Sequence, residues 1–200
     1  MAEVARRAMS EIILFLNKAS ELINWDDVKR IREVLVDAKS KGKNILVVGM
    51  GRSGLVGRAF ALRLMHLGFN VFVFGETITP AILEDDVVVA ISGSGETNTV
   101  VRAAEVARKL GAKVIAITTR PGSSLAKLAD MILVVPGKTK LATEQDYYIR
   151  QLLGEHAPLA PLGTLFEITA LIVLDSLISE LMERLHISED QIRKRHATIE

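Results

Sequence analysis

The feature that most constrains this chain is a set of short, wholly apolar runs: ILVV at 45–48, VVVAI at 87–91, VIAI at 114–117 and ILVV at 132–135. Runs that are apolar on consecutive residues describe strands covered on both faces, as in a parallel sheet with helices above and below it. The spacing predicts strands at 44–48, 70–74, 87–91, 113–118 and 131–135, with helices at 55–68, 97–110 and 123–128 between them. That rhythm of strand and helix gives a three-layer α/β/α sandwich around a five-stranded parallel sheet.

The flanks are helical. Ile12, Phe15, Leu16, Ala19 and Ile23 share one helix face, and after a break at 24–27, Val28, Ile31, Leu35 and Ala38 share another, which Gly42 ends. Trp25 is read as an anchor at that helix junction. From 163 to 185 a long helix is apolar nearly all round, which predicts burial in a core or against another subunit. Glu167 and Asp175 argue against a membrane span there, because each would cost about 2 to 4 kcal/mol at bilayer depth. The stretch 136–161 mixes Gly, Pro and charge around a short helical pattern at 145–153. At 200 residues the chain is expected to be one domain, with N-terminal helices (1–42), an α/β core (43–136), an irregular segment (137–162) and C-terminal helices and tail (163–200).

Composition narrows the partners. The 25 Lys plus Arg against 24 Asp plus Glu leave a net charge of +1 and no basic footprint for nucleic acid. Zero cysteines remove disulfides, thiolate nucleophiles and sulfur-ligated zinc, and fit a reducing compartment. The N-terminal segment carries Glu3, Arg6, Arg7, Glu11 and Lys18 around a short apolar run, unlike a secretory leader, so a cytoplasmic location is expected. A mean hydropathy of +0.29 is high for a small monomer, which predicts a homo-oligomer that buries apolar surface between subunits.

Two glycine-rich turns each follow a strand and open a helix: GMGRSG at 49–54 and SGSGET at 92–97. Such turns offer backbone N–H groups and the positive end of a helix to an anion. The first also fits the G-x-G-x-x-G spacing of a dinucleotide site, and Glu76, about twenty residues on, stands where a ribose-binding acid would. A dinucleotide protein needs a second mononucleotide-binding half, for which 200 residues leave little room. In the second turn Ser92, Ser94, Thr97 and Thr99 accompany Gly93 and Gly95, which looks like a phosphomonoester cradle. The plainer alternative is that Ser92 and Thr97 only cap the strand and the helix.

With both turns in view, the sequence resembles the sugar isomerase (SIS) domain family over nearly the whole chain. The resemblance rests on GMGRSG, GETITP at 75–80, ISGSGET at 91–97, PLGTLFE at 161–167 and KRHA at 194–197. It implies a flavodoxin-like strand order and membership of a branch that interconverts D-arabino-3-hexulose 6-phosphate and D-fructose 6-phosphate. It also implies chemistry through an enediolate with no cofactor and no metal, and 3-hexulose-6-phosphate synthase as the functional partner. By the same resemblance, Gly51, Arg52, Ser53, Ser92, Gly93, Ser94 and Thr97 bind the substrate phosphate. Glu167 is the expected base, Glu76 the alternative base or a sugar-hydroxyl ligand, and His196 a catalytic residue that reaches the site of a neighbouring subunit. His66 and His186 are read as structural residues at helix ends, and His156 is unassigned. A non-catalytic sugar-phosphate sensor would keep the hydroxyls without needing Glu167 or His196, and an NAD-binding protein would need Glu76.

Overall fold

A computed structural model describes residues 2–137 and 159–196. The elements run α1 (Glu3–Leu22), α2 (Trp25–Ser40), β1 (Asn44–Gly49), α3 (Arg52–His66), β2 (Asn70–Val73), β3 (Val87–Ile91), α4 (Asn98–Lys109), β4 (Lys113–Thr118), α5 (Ser124–Leu128), β5 (Met131–Val134), α6 (Thr164–Leu185) and α7 (Glu189–Arg193). The five strands pair in parallel in the order β2-β1-β3-β4-β5. This is the flavodoxin-like order, with its switch point between β1 and β3.

Alternation along the buried strands sorts their side chains onto two faces. Ile45, Val47, Val87, Val89, Ile91, Ile115 and Ile117 face one core with α2, α3 and α6. Leu46, Val48, Val88, Ala90, Val114 and Ala116 face the other with α4 and α5. Both cores are closed, which is why the strands read as continuous apolar runs.

The N-terminal helices follow their patterns unequally. Val28, Ile31, Leu35 and Ala38 of α2 are all buried, and the helix stops at Gly42, whose φ is +64°. In α1 only Ala19 is buried, and Val4, Met9, Ile13 and Leu14 are exposed. Trp25 closes the junction by donating its ring N–H to the Ser20 carbonyl at 3.2 Å. The helix expected at 55–68 starts earlier, at Arg52, because Gly51 turns the chain at a φ of +56° and the first turn Arg-Ser-Gly has no apolar periodicity to reveal it. His186 ends α6 in the left-handed conformation, a helix-end role. The short helix expected at 145–153 and His156 lie outside the described residues.

One buried acid escaped the sequence reading. Asp86 accepts the Asn44 N–H at 2.8 Å and the Leu83 N–H at 2.9 Å, pinning the entry of β1 beside β3. No helix among the described residues is long and apolar enough to cross a membrane.

Candidate active site

A cavity of about 340 Å³ opens beyond the C-terminal ends of β1 and β3, at the switch point where ligands of open α/β sheets bind. Its lining comes from the turn after β1 (Met50, Gly51, Arg52, Ser53), the turn after β3 (Ser92, Gly93, Ser94, Thr97) and the start of α6 (Leu162, Gly163, Phe166, Glu167). The sheet order makes these three segments neighbours although they are far apart in sequence.

Three helices begin at this cavity. Helices α3, α4 and α6 start after Gly51, Thr97 and Gly163, and none of them has a side-chain cap on its first-turn N–H groups. Of the other helices, α2, α5 and α7 are capped by Asn24, Ser123 and Ser188, and α1 begins at Ala2 without a side-chain cap. Uncapped helix starts carry orphan donors and a positive dipole end, so three of them around one cavity favour an anion there.

The hydroxyls divide into supporting and available groups. Ser92 is buried; its Oγ accepts the Gly95 N–H at 3.1 Å and lies 3.0 Å from the Thr97 Oγ1. It therefore holds the turn in shape, and when it donates to Thr97 the Thr97 proton is left for a ligand oxygen. Thr97 precedes α4 but does not cap it, contrary to the plain capping alternative. Ser94 Oγ accepts the Glu96 N–H at 3.2 Å, leaving its own proton to donate. Glu96 ties this turn to α5: the Ser124 side chain, and next its backbone N–H at 3.0 Å, hold the Glu96 carboxyl below the usual carboxylate range.

Gly93 lines the cavity, and its missing side chain has a second consequence. A Cβ at this position would lie 2.8 Å from the Phe166 ring, so the missing side chain makes room for Phe166. Phe166 is also backed by Gly137, where a Cβ would come within 2.5 Å of it. The aromatic ring thus fixes α6 against the phosphate-type turn and sets the position of the next residue, Glu167.

The Glu167 side chain is 13% exposed, and its Oε2 accepts a hydrogen bond from the Arg52 Nε in a salt bridge across the cavity mouth. The two acids proposed as bases are separated by the fold. Glu76 lies outside the cavity lining, 2.5 Å from Arg58, at the edge of the sheet after β2.

His196 lies away from this chain's cavity too. Its ring stacks on His66 with centroids 4.1 Å apart, at the far end of α3. That helix has 15 residues, so its two ends are about 20 Å apart. Arg195 donates to the His66 carbonyl at 3.0 Å and Lys39 to the Gly68 carbonyl, so cations meet the negative end of α3. Burial, and next the Arg195 charge, push the Lys39 ammonium below its ordinary range.

The sequence did not single out Met50, Ile91, Leu162, Gly163 and Phe166 as site residues. All of them lie within the GMGRSG, ISGSGET and PLGTLFE motifs that carry the family resemblance.

The fold and these loops define the class. This chain belongs to the SIS domain family, which it matches over residues 40–152. It is 52% identical to an uncharacterized protein of Aeropyrum pernix, over 97% of this chain and 92% of that one. It is 39% identical to the 3-hexulose-6-phosphate isomerase of Methanocaldococcus jannaschii, over 96% of this chain and 94% of that one. A solved structure from Methanococcus jannaschii, described as inferring a 3-hexulose-6-phosphate isomerase function, superposes with a TM-score of 0.75 at 36% identity and covers 99% of each chain. Among the described residues the sheet has five strands, without the second mononucleotide-binding half of a dinucleotide protein.

Proposed function

We propose that this chain is an isomerase with 6-phospho-3-hexuloisomerase activity, interconverting D-arabino-3-hexulose 6-phosphate and D-fructose 6-phosphate. The observation that carries it is one cavity holding both an anion cradle and a largely enclosed carboxylate, Glu167, in a chain 39% identical to a 3-hexulose-6-phosphate isomerase. Ser53, Ser94, Thr97 and the backbone of the Gly51 and Gly93 turns bind the phosphate, with Ser92 supporting Thr97 and Arg52 supplying charge.

The chemistry needs one base and one proton donor for the oxygens. From open-chain fructose 6-phosphate, Glu167 takes the C3 proton and the electron pair forms the C2–C3 double bond of a 2,3-enediolate, leaving the charge on O2. O2 gains a proton, O3 loses one, and Glu167 returns its proton to C2, which leaves the carbonyl at C3. No electrons leave the substrate.

His196 is the proposed oxygen-proton donor, contributed by a neighbouring subunit because its own cavity is out of reach. The exposed apolar residues Leu55, Leu62 and Met65 on α3 and Ile13 and Leu14 on α1 support a homo-oligomer, read here as a dimer or tetramer. The protein works in the cytoplasm and receives its substrate from 3-hexulose-6-phosphate synthase. Glu76, paired with Arg58, is kept only as an alternative sugar ligand.

Proton NMR of fructose 6-phosphate in heavy water, with chelator and without nicotinamide, tests the assignment. Loss of the C3–H signal is expected. Absence of both exchange and ketose interconversion would sink the isomerase and leave a sugar-phosphate sensor.

A further inference from the structure

The base of this site is held by a cation that its substrate also needs. Arg52 opens α3 at the first glycine turn, and Glu167 stands in the first turn of α6, 115 residues later in the chain. The Arg52 side chain is 59% exposed and long enough to turn, whereas the carboxylate is enclosed. Gly163, at a φ of +91°, leaves room for the carboxylate: a Cβ there would lie 3.0 Å from Glu167 Oε1. The Glu167 N–H donates to the Gly163 carbonyl at 3.0 Å, fixing its backbone. One long, exposed partner therefore faces one enclosed carboxylate in a cavity lined by Ser53, Ser94 and Thr97.

A carboxylate oxygen that accepts a guanidinium N–H has that lone pair occupied and cannot face a substrate C–H at the same time. A phosphate dianion bound in the same cavity is a competing partner for the same guanidinium, with more charge and a geometry that accepts two N–H groups at once.

We propose that Arg52 is a positioning residue that couples phosphate binding to release of the base. In the empty site Arg52 occupies Glu167 Oε2; substrate phosphate draws the guanidinium away and frees that oxygen to face the C3 proton. The phosphate then acts as a trigger as well as a handle, and unphosphorylated ketoses leave the base engaged. This coupling rests on the isomerase assignment for its meaning but not for its test.

The test is a thermodynamic cycle read by calorimetry with inorganic phosphate as the probe, on the wild type, Glu167→Gln, Arg52→Ala and the double variant. If Arg52 must leave Glu167 before it can hold phosphate, Glu167→Gln tightens phosphate binding about fivefold, the worth of a partly exposed ion pair. With Arg52→Ala already present, the same substitution changes the affinity by less than about twofold. Equal tightening in both backgrounds overturns the coupling, since simple repulsion between Glu167 and phosphate does not need Arg52. No tightening in either background, or no phosphate binding to any of the four proteins, overturns it as well. C3 exchange is measured on the same wild-type preparation. Exchange without the expected cycle leaves the isomerase standing and removes the coupling; the expected cycle without exchange leaves the coupling and removes the isomerase.

Discussion

Replacing Gly93 by Ala tests whether the second glycine turn is shaped by its ligand or by Phe166. The added Cβ would sit 2.8, 3.1 and 3.2 Å from three atoms of the ring of Phe166, a residue only 2% exposed. Forcing extra volume into a packed site costs about 1 to 3 kcal/mol. The loss of chain entropy in the unfolded state returns about 0.4 to 1 kcal/mol, so a net destabilisation of about 1 to 2 kcal/mol is expected. Urea unfolding at one fixed protein concentration reads it as a lower midpoint with an unchanged slope. Phe166→Leu removes the ring atoms that clash. The double variant is therefore expected to be more stable than the sum of the two single changes predicts, by about 1 kcal/mol or more. Strict additivity would falsify the ring contact as the cause. A double variant that regains stability but not kcat/KM would show instead that the Cβ intrudes on the phosphate, the role first expected of Gly93.

Other outcomes follow from the same geometry. Ser94→Ala and Thr97→Val each lower kcat/KM by about 1 to 3 kcal/mol of lost transition-state binding, read by steady-state kinetics; unchanged kinetics in both would reduce them to turn-forming residues. Ser92→Ala, by contrast, lowers both stability and kcat/KM, since the Ser92 Oγ supports Gly95 and Thr97. Glu167→Gln lowers kcat by about 10² to 10⁴ while fructose 6-phosphate still binds, and isothermal titration beside kinetics separates the two. Mixing Glu167→Gln subunits with subunits lacking 194–200 restores activity above either parent if the tail completes a neighbour's site, and an active tail-deleted protein removes His196 from the mechanism. Because Ser124 holds the Glu96 carboxyl below its ordinary value of 4.5, its contribution to stability is full above that value and is lost as pH falls through the lower, folded one. Thermal melts of wild type and Glu96→Gln are thus expected to converge in acid and separate toward neutral pH.

The sequence by itself determined the sheet and its covering. Runs such as VVVAI at 87–91 are local, and a strand buried on both faces must be apolar on every residue, so β3 and β4 fall where the spacing put them. Both glycine turns were legible for the same reason, since a strand, a glycine turn and a helix start are neighbours in the chain. The start of helix α3 was read three residues late because Arg52, Ser53 and Gly54 carry no periodicity, and Gly51 starts the helix through a backbone angle. The site's chemistry was legible only as residue types. That Arg52 meets Glu167, that Phe166 fills the space left by Gly93, and that Glu76 turns to Arg58 are contacts between distant segments, decided by the order in which the strands pair. The stacking of His196 on His66 is of the same kind: sequence placed a histidine near the end of the chain, and only tertiary packing set it at the end of α3 away from its own cavity. Periodicity reports which face of an element is buried, whereas the partner across that face depends on how the whole sheet is assembled.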